Sequence, residues 1–581
     1  MLRDYALLAD GERGAVLGPH GDIVWLCAPR WDSDAIFTAL IGGRGGYSVT
    51  PLETFVWGGY YEKDTLIWRS RWVTTSGIIE CHEALAFPAD PERIILLRRV
   101  VAVDGDAHVR VLLEPRGAYG SRALTHLTNE DGVWTARSAG LNLRWTGAAE
   151  ARVLDAQSDS RILTMDLVVP AGHSHDLVLE VTPGRLLETT IDADTAWHAT
   201  RAAWSRDVPV LNECLAAADT RHSYAVLRGL TGAAGGMVAA ATTSLPERAE
   251  AGRNYDYRYV WIRDQCYAGQ AVAAAGGYEL LDAAVRFVGD RLREHGDRLA
   301  PAYTSTGDVV PDERRLKLPG YPGGADIVGN WVNSQFQLDA FGEALLLFAA
   351  AARLDRLDTS GWQAAELAAQ AIAARWTEPD AGIWEIDNRP WTHSRLICAA
   401  GLRATAAAGP SNRAAVDWIT LADHIVADTS AKALHPDTGA WMRSPDDERL
   451  DASLLMAGLR GAVPADDPRT VATLNAYVKD LTVDGYAYRF RQDDRPLGQP
   501  EGAFQLCGFL LALASHQQGD VLSAHGWFER TRAACGPPRI YCEEYDVAEH
   551  QMRGNFPQAF VHAVMIEAAA RLAQDPDHIA T

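Results

Sequence analysis

No stretch of about 18 uncharged apolar residues occurs in this 581-residue chain, so no helical membrane span is expected. The opening MLRDYALLADGERG carries charges where a secretory signal needs an apolar run, and a cytoplasmic location is the expectation. Basic runs are missing as well. With a net charge of −22 the chain offers no electropositive surface on which a phosphate backbone would release counterions, which excludes a nucleic-acid partner. The eight cysteines are scattered, with no CxxC pair and no metal-like spacing. Reduced, mostly buried thiols are expected, and no metal site.

What the chain has is apolar substance. At 48% hydrophobic and 22% charged, and longer than one ordinary domain, it predicts a large core divided between two domains. Residues 1–190 alternate over short stretches such as GDIVWLCAPRW, GGYSVTP, RIILLRRVVAV and HDLVLEVTP, with Gly, Asp and Pro between them. This pattern predicts two packed antiparallel sheets, a β-sandwich. Residues 191–212, which include DADTAWHATRAAWSRD, read as a polar helical linker. From 213 to 581 the period changes to 3.6, and alanine-rich helices are expected near 215–230, 264–276, 278–294, 332–354, 360–376, 394–408, 413–430, 451–460, 466–481, 502–516, 520–534 and 556–574. Taken as six antiparallel pairs, they close into an inner and an outer ring, an (α/α)6 barrel. An open superhelix is the alternative.

The unusual residues stand between these helices, where a rigid scaffold can present them. NYDYRYVWIRD (254–264), PGYPGGADIVGNW (319–331), AGIWEIDNRPWTHS (381–394), AWMRSPDDERLDAS (440–453), YRFRQDDRPLGQPEGAF (488–504) and YCEEYDVAEHQMRGNFPQAF (541–560) each precede an even-numbered helix. In a ring of hairpins all six therefore emerge at one mouth. The first of them puts Tyr255, Tyr257, Tyr259 and Trp261 on one face at period two, with Asp256, Arg258, Val260 and Ile262 on the other. Aromatic faces stack on sugar rings, and Arg or Asp forks hold pairs of adjacent hydroxyls. An aromatic edge strand closed by an Arg–Asp ion pair has the same composition.

Two carboxylates in this set suit glycosidic hydrolysis. Glu385 lies between Trp384 and Ile386, with Trp391 nearby, and a carboxyl desolvated by indoles keeps the proton a general acid needs. Glu543 and Glu544 fall in a loop that reads as wetter, beside Tyr541, Tyr545 and Asp546, where one can stay ionised and act as a base on water. The plainer readings are an ion pair of Glu385 with Arg389 or Arg395, and a solvated loop charge at Glu543.

Over nearly its whole length the chain resembles glycoside hydrolase family 15, the glucoamylase-like and trehalase-like enzymes. The resemblance is carried by YALLADGERGAVLGPHGDIVWLCAPRWDS, ATTSLPE, NYDYRYVWIRD, GIWEIDNRPWTHS, ERLDAS, PEGAFQLC and EEYDVAEHQMRGNFPQAF. It implies a β-sandwich followed by an (α/α)6 barrel, and an inverting, exo-acting hydrolase that releases β-glucose from the non-reducing end of an α-glucoside without a cofactor. By position, Glu385 matches the family's general acid and Glu543 its general base, with Glu544 a helper facing substrate or water. Arg263 and Asp264 resemble the pair that grips the terminal glucose, Tyr257 the tyrosine that orients the water, Trp261 and Trp384 the walls of the first subsite, and Arg489 a substrate-binding arginine. The chain departs from the pattern at GYPGGADIVGNWVNSQ, one residue short and with Asp326 near a position usually basic. That altered acceptor wall predicts a small oligosaccharide or disaccharide as substrate. A phosphorylase of the same architecture is disfavoured, because Glu543, Glu544 and Asp546 would repel phosphate. A non-catalytic glycan-binding protein would be expected to lack one of the two carboxylates.

Overall fold

The computed structural model describes residues 1–156, 160–248, 252–409 and 413–574. Its N-terminal part is two eight-stranded antiparallel sheets packed face to face. The first runs from Ala6–Ala9 through Asp22–Cys27, Gly46–Pro51 and Ala107–Glu114 to Arg152–Ala156; the second runs from Thr125–Glu130 through Ser174–Thr182, Ile94–Asp104 and Ile78–Leu85 to Phe55–Tyr61. Alternation places Val109, Val111 and Leu113 of one sheet and Leu96, Val100 and Leu179 of the other in a shared core. Burying one inward face of each sheet is what the period-two pattern demands, and the result is the expected sandwich.

A helix α1 (Ala193–Asp207) follows, capped by the Asp192 side chain on Thr195 N. It is less polar than expected of a linker, because Trp197 and Trp204 are buried in the core cluster that runs on into the helical part.

Among the described residues, twelve helices then alternate between two rings. They are α2 (Ala217–Leu230), α3 (Ile262–Ala275), α4 (Tyr278–His295), α5 (Asp339–Arg353), α6 (Thr359–Arg375), α7 (Thr392–Ala408), α8 (Arg413–Lys432), α9 (Met456–Leu459), α10 (Pro468–Leu481), α11 (Gln505–Gln517), α12 (Val521–Arg532) and α13 (Ala559–Arg571). The inner ring is closed: α3 packs on α5, α5 on α7, α7 on α9, α9 on α11, α11 on α13, and α13 returns to α3. This excludes the open superhelix. Inner helices are apolar on every side, as in DAFGEALLLFAAAAR of α5, because they touch neighbours all round. The outer helix α8 buries one stripe, Ala415, Ala422, Ile425, Val426 and Thr429.

Between α5 and α7 the backbones meet at two glycines. A methyl group on Gly342 would lie 2.6 Å from Ile397 C, and one on Gly401 would lie 2.5 Å from Gly342 O. Only hydrogen at both positions permits this approach.

Two boundaries differ from expectation. The helix expected from residue 332 begins at Asp339, after a 3-10 turn Trp331–Ser334 and a short extended stretch. The helix expected over 451–460 is a 3-10 turn, Ala452–Leu455, running into the single turn of α9.

Candidate active site

The N-terminal ends of the inner helices gather at one end of the barrel, and α3, α5, α7, α11 and α13 have no side-chain cap there. Outer helices α6, α10 and α12 are capped by Asp358, Asp467 and Asp520. The first N–H groups of α3, α7, α11 and α13 instead donate to the carbonyls of Pro301, Arg443, Glu543 and Ala239, and the positive ends of these helix dipoles favour anionic side chains nearby. At this end lies a cavity of about 380 Å³.

Segment 254–261 enters it as an extended strip because its backbone is pinned to the preceding strand-like stretch. Ser244 N donates to Tyr255 O, Ala240 N to Tyr257 O and Ala239 N to Tyr259 O, at 2.8 to 2.9 Å. Tyr255, Tyr257 and Trp261 line the cavity, with Tyr255 and Tyr257 stacked and Trp261 edge-on to Tyr257. Tyr259 does not join them; it packs below with Val310 and Val332. The opposite face carries Asp256 and Arg258. The Arg258 guanidinium donates to Asp256, to Trp31 O and Ser33 O at 3.3 and 3.0 Å, and to Tyr119 Oη at 3.2 Å. The β-sandwich thus clamps the back of the strip.

Glu385 stands on a backbone with φ of 51°, a left-handed conformation that a non-glycine residue holds only at a cost. Its Oε1 accepts from Trp261 Nε1 at 2.7 Å and from Arg263 Nη2 at 3.4 Å; its Oε2 accepts from Gln335 Nε2 at 3.4 Å. The expected partners of the plainer reading are engaged elsewhere, Arg389 with Asp446 and Arg395 with Asp380. Arg263 is in turn held by Gln337 at 2.8 Å and Asp339 at 3.4 Å. Beside it, burial pushes the Asp264 carboxyl up to about 7 against the pull of Arg263.

Glu543 lines the same cavity as Glu385, next to Tyr257. The Tyr257 hydroxyl donates to both Glu543 oxygens, at 3.5 and 3.4 Å. The wetter environment expected here is not what forms. Glu543 is 5% exposed and Glu544 fully buried, while the Glu385 side chain keeps 22% of its surface open. The cause is the small sheet in which Glu544–Asp546 lies between Ala503–Phe504 and Gln551–Arg553, which folds the acidic loop inward. Burial, and then the neighbouring Glu247, push the Glu543 carboxyl well above the usual range.

Of the residues singled out in the sequence, Tyr257, Trp261, Arg263, Asp264, Trp384, Glu385, Arg489 and Glu543 line this one cavity. Glu544 does not: its Oε2 accepts from Gly502 N at 2.9 Å and its Oε1 lies 3.9 Å from Arg489. Asp326 is also elsewhere, accepting from Leu318 N at 3.0 Å and pairing with Arg315, so it staples its own loop instead of shaping the site. Five of the six loops reach the cavity; the sixth, with Arg443 and Asp451, stands behind Trp384. Sequence reasoning missed Glu247 and Arg253, which line the cavity, and Gln335, which holds Glu385. Glu247, Glu501 and Glu544 come within 4.8 Å of one another in a metal-like trio. The Arg489 guanidinium contacts all three and supplies positive charge between them.

Comparison with known proteins decides the family. Residues 221–570 match glycosyl hydrolases family 15, and residues 2–204 match the trehalase-like N-terminal domain. The chain belongs to glycosyl hydrolase family 15. This family 15 protein is 29% identical to a trehalase of Mycolicibacterium smegmatis over 98% of its own length and 91% of the relative's. It is 26% identical to trehalase 1 of Sulfolobus acidocaldarius over 98% of each. Its fold is that of a bacterial glucoamylase complexed with acarbose, with a TM-score of 0.74 and 14% identity over 100% of this chain and 95% of the other. The family 15 protein is accordingly a trehalase-like and glucoamylase-like glycoside hydrolase acting on O-glycosyl bonds. No helix among its described residues is long and apolar enough to cross a membrane.

Proposed function

We propose that this protein hydrolyses trehalose, or a short α-glucoside closely like it, with inversion at the attacked carbon. The observation that carries the reading is the pair of carboxyl groups, Glu385 and Glu543, facing one aromatic-walled cavity of about 380 Å³. That volume suits a ligand of two sugar rings better than a long chain. The full-length similarity to trehalases supports the choice of substrate.

In this reading Arg263 and Asp264 hold the hydroxyls of the glucose undergoing attack, and Trp261 and Trp384 cover its faces and exclude water from the bond. Glu385, protonated, gives its proton to the bridging oxygen. A water beside Tyr257 loses a proton to Glu543 and adds its oxygen to the anomeric carbon from the opposite face. Arg489 lies with its guanidinium 5.8 Å from the Trp384 ring and holds the acidic wall in place.

Trehalose is linked α to α through both anomeric carbons. Inversion at one centre therefore yields one β-glucose from the attacked ring and one α-glucose from the leaving ring. Proton NMR of purified protein with trehalose, read before mutarotation, is expected to show the two anomers in equal amounts. Two α-anomers would establish retention, and no glucose from trehalose would remove the substrate. Glu385→Gln and Glu543→Gln are each expected to lower kcat by several orders of magnitude with the fold intact; near-normal turnover in either removes that residue from its role.

A further inference from the structure

Glu247, at the end of the ATTSLPE stretch, has no role in the reaction as described above. It lines the cavity and is only 4% exposed. The Glu247 and Glu543 side chains both flank Gly554: a methyl group there would lie 3.6 Å from Glu543 Cβ, 3.8 Å from Glu543 Oε2 and 3.7 Å from Glu247 Cγ. Two buried carboxyl groups held side by side resist ionising together, so one proton is shared between them.

The surroundings decide which partner is the better anion. Arg489 lies 3.4 Å and Arg253 3.8 Å from Glu247 Oε2. Glu543 has no arginine this close among the described ion pairs; it faces the Tyr257 hydroxyl, with Glu501 and Asp264 adding negative charge. The remaining groups around the pair are Glu501, which takes ion pairs from both arginines, Glu544 on Gly502 N, and Tyr255. Burial raises both carboxyls, and at Glu247 the adjacent Arg489 and Arg253 oppose it. The resting proton therefore sits on Glu543, the residue that must accept one.

We propose that the general base is the Glu247–Glu543 pair acting as a relay, and not Glu543 alone. As the attacking water gives a proton to the cavity-facing oxygen of Glu543, the proton already on Glu543 passes to Glu247. One O–H bond of water breaks, its oxygen bonds to carbon, and the pair goes from one proton to two. One of these then returns through solvent to re-protonate Glu385, so the cycle consumes only water. Glu247 is a positioning and proton-holding residue in this scheme, and the inference rests on the proposed hydrolysis.

The test is the pH profile of kcat/KM with trehalose, whose acidic limb reports the ionisation of the base in the free enzyme. In the relay the limb belongs to the pair and is kept low by the arginines around Glu247. Glu247→Gln forces Glu543 to ionise alone in a buried site, so the limb is expected to move up by about one pH unit or more. A downward shift would mean that Glu247 merely repels charge on Glu543, and an unmoved limb that it is scaffolding; either overturns the relay. Glu247→Ala leaves room for formate beside Glu543. Formate is expected to restore kcat/KM in that variant and bring the limb back down, and failure of both effects also counts against the pair. Glu543→Gln measured alongside keeps the two readings apart. Full turnover in that variant sinks both, whereas its loss together with an unmoved limb in Glu247→Gln sinks the relay alone.

Discussion

Arg258 Nη2 lies 2.6 Å from Asp256 Oδ2 in an ion pair whose side chains are 1% and 0% exposed. The pair sits beneath the two tyrosines of the cavity wall; the other hydrogen bonds of the Arg258 guanidinium are made to the β-sandwich, while Asp256 Oδ2 accepts from Gly329 N at 2.9 Å. Removing one member would strand the other, which costs about 3–5 kcal/mol for a buried charge. Arg258→Met is therefore expected to lower the melting temperature by many degrees and to reduce kcat through slackening of Tyr257. Thermal unfolding and steady-state kinetics on the same sample check both. A variant of unchanged stability would show that the contact is not a clamp.

The indole N–H of Trp261 is the closest donor to Glu385 Oε1. A hydrogen bond to a charged group is worth about 1.5–3 kcal/mol. Trp261→Phe keeps the ring and deletes the donor. If this bond positions Glu385 for the proposed proton transfer, kcat in steady-state kinetics is expected to fall by about tenfold or more. Unchanged kcat would show that the indole N–H does not position Glu385.

Glu343 on α5 is fully buried, with Gln270 Nε2 2.8 Å from its Oε2, and burial pushes its carboxyl up to about 7. In the unfolded chain the group ionises near the ordinary glutamate value of about 4.3. Between those values the folded state binds the extra proton, so this residue's contribution to stability falls as pH rises through the window, by about 1.4 kcal/mol per unit. Glu343→Gln removes that loss. The melting temperature of the variant relative to the parent should climb from pH 5 to pH 7; a flat difference would contradict the assignment.

Gly342→Ala places a methyl group against the backbone of α7. Neither helix can retreat without opening the ring, and overpacking of this kind costs about 1–3 kcal/mol. Denaturant unfolding should show a lower midpoint with an unchanged slope.

Much of this was legible from the chain because two periods mark it so differently. The change from alternation to 3.6 near residue 190 separates strands from helices, and the spacing of polar loops identifies which helices form the inner ring. The solvent exposure of the carboxylates was not legible. Glu543 sits among Tyr541, Tyr545 and Asp546 in sequence, a polar company, but strand pairing of Glu544–Asp546 with Ala503–Phe504 and Gln551–Arg553 hides it. Strands of two or three residues leave almost no periodic signal. Glu247 escaped notice for a related reason: one glutamate after a proline means little until Arg489 and Glu543 are brought to it from two other loops, beside Arg253 of its own.

The return of α13 to α3 has a bearing on how the molecule comes into being. Glu385 enters on the loop before α7, and Glu543 on the loop before α13. A chain whose final helix has not yet docked holds the first carboxylate but has no opposing partner, no shared cavity and no dry surface around a sugar. On the proposed roles of these two residues, hydrolytic capacity is acquired in one step when the ring shuts, and assembly intermediates are inert.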